Sequence, residues 1–107
     1  MTNPPCYHEI INAISGIALG EHPSALRCTT CGAFLLDSAH LTGYAYQFTD
    51  ERTWRVARLF CQSCQRREVT HPTLGAQEVQ FEGQVDERDS IRTLQAIKLL
   101  DYSGPHC

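Results

Sequence analysis

Trp54-Arg55-Val56-Ala57-Arg58-Leu59-Phe60-Cys61-Gln62-Ser63-Cys64 runs an extended, aromatic-ended segment straight into a Cys-x-x-Cys turn. Cys28-Thr29-Thr30-Cys31 is a second turn of the same spacing, with Gly32 directly after it. Glycine fits there because the chain must turn sharply, and glycine reaches positive φ at little cost. Each such turn aims two sulfurs at one point. Two turns supply the four thiolates of a closed tetrahedral site, the donor set of structural zinc. A redox pair of the thioredoxin kind sits at a strand–helix junction within a βαβ pattern, and neither pair does. Cys28, Cys31, Cys61 and Cys64 are therefore assigned as the ligands of one structural Zn²⁺. Four thiolates leave no open position for water, which argues against catalytic zinc. The deaminase signature, His-x-Glu before Pro-Cys-x-x-Cys, is also absent.

Residues 32–60 separate the two pairs, more than the ~15–20 of the commonest paired signature. The excess reads as an inserted β-hairpin over 41–60. Leu41 to Thr49 alternates, with Tyr44, Tyr46 and Phe48 on one face and Ala45 and Gln47 on the other. Asp50-Glu51-Arg52 makes the turn, and Trp54 to Phe60 returns to the second cysteine turn. With the ligands, the zinc turns occupy 28–32 and 61–65.

Beyond the second pair, His71-Pro72-Thr73-Leu74-Gly75 is a turn-rich crossing. A half-exposed strand is expected over 77–85, since Val79, Phe81 and Val85 alternate with Glu78, Gln80, Glu82 and Gln84. Asp86-Glu87-Arg88-Asp89 is an acidic turn. The stretch 90–102 is divided: Ser90, Leu94, Ala96 and Leu99 suit a helix, whereas Ile97-Lys98-Leu99 alternates. A strand over 97–102 is the expectation. Toward the N-terminus, Ile10, Ile11, Ile14, Ile17 and Ala18 fall at helical spacing and predict a helix over 8–19 stopped by Gly20. Its apolar face reads first as core and second as a dimerisation surface. Residues 1–7, with Pro4 and Pro5, form a flexible arm, and 104–107 a tail. The whole is one small zinc-ribbon domain over 8–103. It is mainly β, with an inserted hairpin, a short antiparallel sheet and one N-terminal α-helix.

The chain has 107 residues, 42% hydrophobic and 20% charged, the composition of a globular fold near the small end of what a core can support alone. No stretch approaches the ~20 apolar residues of a membrane span. The N-terminal Met-Thr-Asn-Pro-Pro-Cys lacks the charged start and apolar run of a signal peptide. Six cysteines kept reduced for metal suit a cytoplasmic location. The net charge of −3 argues against general nucleic-acid affinity, although a local patch overrides a total.

Such a patch lies between Arg52 and Arg67. It holds Arg52, Arg55, Arg58, Arg66 and Arg67 with no carboxylate among them, interleaved with Trp54 and Phe60. Arginines over phosphates and aromatics under bases would bind a single strand. Three arguments oppose this. The aromatics are the obvious core of so small a protein, and Arg55 and Arg58 fall on opposite faces of a regular strand. Guanidinium groups beside a negatively charged four-thiolate zinc centre also need no ligand to explain them. Cys6, His8, His106 and Cys107 form a Cys/His couple at each end, which reads as incidental tail residues before it reads as a second site. His22, His40 and His71 stand alone as surface or turn histidines, though His71 lies near enough in sequence to compete for the metal.

The pattern Leu26-Arg27-Cys28-x-x-Cys31-Gly32, Tyr44-Ala45-Tyr46, Trp54-x-Val56-Ala57-Arg58-Leu59-Phe60-Cys61-x-x-Cys64, Pro72-Thr73-Leu74-Gly75 and Leu100-Asp101-Tyr102-Ser103 resembles small zinc-ribbon proteins of haloarchaea. The resemblance covers about residues 26–103. It implies zinc and a mostly β fold, and it carries no activity. The resulting expectation is a non-enzymatic zinc module presenting its hairpin to a protein partner, with a DNA- or RNA-binding regulator as the alternative.

Overall fold

Two long strands, β4 (Ala76–Arg88) and β5 (Ile91–Ser103), form the antiparallel spine of the fold. The structure is a computed structural model and describes residues 7–21, 26–35, 40–89 and 91–104. Arg88 pairs with Ile91 across a tight turn in which Asp89 adopts φ 52, a left-handed conformation that Asp tolerates. β2 (His40–Phe48) pairs with the other edge of β4, and β3 (Arg55–Phe60) with β2. β1 (Ala18–Glu21) pairs with β5, giving one antiparallel sheet in the order β1-β5-β4-β2-β3. Register shifts interrupt the β4–β5 ladder between Gln80 and Phe81 and between Glu82 and Gln84, the second beside Ala96 at φ 55. Bulges add local twist. The sheet curls, and residues from both edge strands line one groove.

The concave face carries the core. Leu41 and Ala45 of β2, Val79, Phe81 and Val85 of β4, and Leu94 and Leu99 of β5 pack with Leu59, Trp54 and Leu35. α1 (Tyr7–Ile14) lies on β5 and contributes Ile10 and Ile14 to the same cluster. Gly43 is required here. It faces Phe81 in the ladder, and a Cβ at this position would run into the Phe81 ring.

Several expectations need correction. The helix ends at Ile14, where the reading of the sequence carried it to 19. Gly16, at φ 82, is the stop, and its N–H bonds the Leu94 carbonyl at 2.7 Å. Residues 18–21 then leave helical periodicity to pair with β5, because an open sheet edge offers each peptide group a partner that a fraying helix end does not. The C-terminal strands are longer than expected, Ala76–Arg88 for 77–85 and Ile91–Ser103 for 97–102, and the divided stretch is strand throughout its described length. Finally, β4 is not half-exposed. Glu78 and Gln80, on the face away from the core, are 2% and 6% exposed. The arm 1–6, residues 105–107, His22, and the Cys6, His106 and Cys107 of the terminal grouping lie outside the described residues.

Candidate metal centre

Cys28 to Cys31 is a tight turn held by local backbone bonds. Cys28 N–H donates to Ala33 at 2.8 Å and Gly32 N–H to Cys28 at 2.9 Å, with Gly32 at φ 76. Arg27 and Phe34 bridge across the base of this turn, and Leu35 N–H reaches Leu26 at 2.8 Å. The Arg27 guanidinium stacks 4.2 Å from the centre of the exposed Phe34 ring. Thr29 locks the turn to the end of β3: its N–H donates to Leu59 O at 2.8 Å and its Oγ1 accepts from Leu59 N–H at 3.1 Å. The second turn is shorter. β3 ends at Phe60, and Gln62–Cys64 forms one 3₁₀ turn with Cys64 N–H on Cys61 O at 3.0 Å.

These anchors bring all four sulfurs within 4.8 Å of one another. Cys31 Sγ and Cys61 Sγ are 3.7 Å apart. That is far beyond a disulfide bond. It matches the tetrahedral edge of about 3.8 Å that a metal–sulfur distance of ~2.3 Å requires. Cys28 is buried, Cys31 exposed, and Cys61 and Cys64 lie between. The site thus sits where β3 ends, with Cys28 facing inward and the other three sulfur-bearing residues reaching solvent to differing degrees.

Electrostatics point the same way. Burial pushes the Cys28 thiol up, but backbone hydrogen bonds from Cys31, Cys61 and Thr30 outweigh it and bring the thiol down to about 6. Cys64 moves oppositely, pushed up to about 12 by hydrogen bonds to Cys31 and Cys61 and by the Cys28 charge. A divalent ion among the four sulfurs would favour the thiolate at each of them and offset their mutual repulsion. Four cysteines at this spacing could hold one metal ion. His71 does not join them. It lines a separate cavity with Tyr44, Arg58 and Glu78.

The arginines are arranged differently from the expectation. Tyr44 pairs with Arg58, but Ala45 pairs with Val56 and Tyr46 with Arg55, so Ala57 is bulged. The extra residue resets the alternation and puts Arg55 and Arg58 on one face, in register with Tyr46 and Tyr44. The Arg58 guanidinium lies 5.6 Å from the Tyr44 ring centre, and Arg55 is 3.5 Å from Glu51. The same face of β2 carries a continuous aromatic row. Tyr44 and Tyr46 stack at 6.1 Å, and Phe48 meets Tyr46 edge-on at 5.4 Å. Trp54 is buried in the core and Phe60 is buried opposite Thr42, outside the core cluster, whereas Tyr44 and Tyr46 are half-buried on the outer face and Phe48 is exposed. Arg52 is exposed in the hairpin turn.

Arg66 and Arg67 begin a crossing that runs over this outer face from the metal centre toward β4. Three side chains on three strands hold it. Thr42 Oγ1 accepts from Arg66 N–H at 3.1 Å, Asp101 Oδ2 from Val69 N–H at 2.7 Å, and Glu78 Oε1 from Thr73 N–H at 2.5 Å. Glu78 also accepts from the Tyr44 hydroxyl and, at 3.3 Å, from Thr73 Oγ1. Burial, then the Glu78 hydrogen bond and charge, push the Tyr44 hydroxyl up to about 12, so it stays a donor. Thr42, Glu78 and Asp101 carry no motif. They are recognisable only once the sheet is assembled.

The chain is therefore a small, mainly β protein built on a curled antiparallel sheet with a four-cysteine cluster at one end. It belongs to the family described as Domain of unknown function (DUF8112), which matches residues 6–100. No curated protein and no solved structure matches the chain. Among the described residues, no helix is long and apolar enough to cross a membrane.

Proposed function

We propose that this chain is a non-enzymatic zinc-ribbon module whose outer β2–β3 face binds single-stranded nucleic acid. Zinc is the metal that a closed set of four thiolates favours, and its role here is structural. The carrying observation is the Ala57 bulge. It aligns Arg55 and Arg58 beside Tyr44 and Tyr46, which reverses the argument that the two arginines fall on opposite faces. Trp54 and Phe60 stay buried, so the aromatics offered are Tyr44, Tyr46 and Phe48. Bases stack on half-exposed aromatics while guanidinium groups neutralise phosphates. The net charge of −3 limits nonspecific binding, and carboxylates also flank this face, with Glu51 3.5 Å from Arg55 and Glu82 4.0 Å from Arg67.

Titrating labelled single- and double-stranded oligonucleotides at several salt concentrations tests the reading. Binding to single strands should weaken steeply with salt. No binding even at low salt would remove it.

A protein partner is the second reading, and one observation favours it. β3 is an edge strand, and a groove of about 410 Å³ separates it from β1, lined by Ile17, Leu19, Trp54 and Val56 with Arg27 and Arg55 at its sides. An extended acidic segment would add there as a strand. The buried face of α1 is engaged in this chain's own core, so neither reading uses it for dimerisation.

A further inference from the structure

Between the crossing and the sheet lies a cavity of about 210 Å³, lined by Tyr44, Arg58, Val69, His71, Glu78 and Gln80 among others. It is smaller than the ~300–1,000 Å³ of pockets for drug-sized ligands, a size suited to one planar ring. Its polar groups are unequally satisfied. Glu78 accepts from Thr73 and Tyr44, and the Tyr44 hydroxyl is committed to Glu78. Gln80, opposite Tyr44 in the ladder and only 6% exposed, has a buried side-chain carbonyl oxygen without a hydrogen-bond partner. An unmet acceptor at that depth is costly, and turning the Gln80 amide toward the cavity to meet an entering donor would relieve it.

We propose that this cavity seats one unstacked nucleobase of a bound single strand, which donates its exocyclic amino group to Gln80. The proposal rests on the nucleic-acid reading of the same face. The aromatic row Phe48–Tyr46–Tyr44 leads to the cavity and would carry neighbouring bases. Arg58, over the Tyr44 ring at the rim, would meet the phosphate beside the seated base. An amide carbonyl accepts from the exocyclic amino groups of adenine, cytosine and guanine, whereas thymine and uracil have none and present carbonyl oxygens. A base that carries an amino group is the predicted occupant.

The experiment compares oligo(dA), oligo(dC) and oligo(dT) on the zinc-loaded full chain, and follows the Gln80 side-chain amide by NMR during addition of adenosine monophosphate. Oligo(dA) or oligo(dC) should bind about tenfold more tightly than oligo(dT), the size of one well-made base contact. Gln80→Met should erase that difference, and the wild-type Gln80 amide resonances should shift with the nucleotide. Should Gln80→Met fail to fold, the wild-type base preference and the NMR titration still decide. Salt-dependent binding with equal affinity for all three oligomers and an unmoved amide would overturn the base pocket, leaving a water-filled cavity on a valid nucleic-acid surface. Absence of any oligonucleotide binding at low salt would overturn both and favour a protein partner.

Discussion

The two faces of β2 and β4 carry the same alternating pattern but are closed in different ways. On the concave face Leu41, Ala45, Val79, Phe81 and Val85 meet other apolar side chains and are wholly removed from water. On the outer face Glu78 and Gln80 are nearly as buried, yet the cover is a polar crossing held at Thr42, Glu78 and Asp101. An apolar face closes by area and tolerates no gap. A polar face closes only where each donor finds an acceptor, so an open aromatic row and an unmet Gln80 oxygen remain beside it. The first face holds the fold. The second is the face to which the proposed function assigns binding.

The largest expected effect concerns the cluster on which both faces depend. Cys61→Ser, or chelation of the metal, should abolish cooperative folding, because such sites contribute on the order of 10 kcal/mol to small modules. Native mass spectrometry should find one Zn²⁺ per chain, lost in the variant. A stable metal-free fold of the variant would show that the sheet stands alone. Acid should act in the same direction. Protons compete with metal for thiolates, so stability present at neutral pH is lost on acidification. Local hydrogen bonds already hold the Cys28 thiol below its ordinary value, and a bound cation favours the thiolate further, so zinc release should require acid rather than neutral pH. A zinc-sensitive dye during an acid titration measures it.

Next come the two faces themselves. Phe81→Ala should cost about 3–5 kcal/mol in denaturant unfolding, the usual range for a core phenylalanine. Gly43→Ala at the facing position should also destabilise, since its Cβ meets the Phe81 ring. Glu78→Ala on the outer face should cost less, about 1–3 kcal/mol, by leaving Tyr44 and Thr73 without their acceptor. Equal losses at Phe81 and Glu78 would erase the distinction drawn between the faces.

The smallest effect on stability, and the sharpest on binding, is expected at the hairpin. Arg55→Ala with Arg58→Ala should change stability by no more than about 0.5 kcal/mol per site, as exposed positions do. The dependence of log K on log salt for single strands should flatten by about 1.4, from ~0.7 per phosphate contact. An unchanged slope would detach these arginines from the proposed surface.

The four cysteines that could hold a metal were legible in the chain because a Cys-x-x-Cys turn is local: its geometry needs only four residues, and Gly32 marks where the chain reverses. The hairpin was legible for a similar reason, since period-two alternation declares a strand wherever it is placed. What lay beyond the sequence was decided by pairing. Residues 18–21 left the helix because β5 offered an edge, and 91–96 joined the strand because β4 was long enough to partner it. The cover over Glu78 needed Thr42, Asp101 and Thr73 from separate parts of the chain. Alternation alone put Arg55 and Arg58 on opposite faces. One unpaired residue at Ala57, set by the register of β3 against β2, put them on the same one. Local chemistry was written in the sequence, whereas the surface it serves arose only when distant strands fixed each other's register.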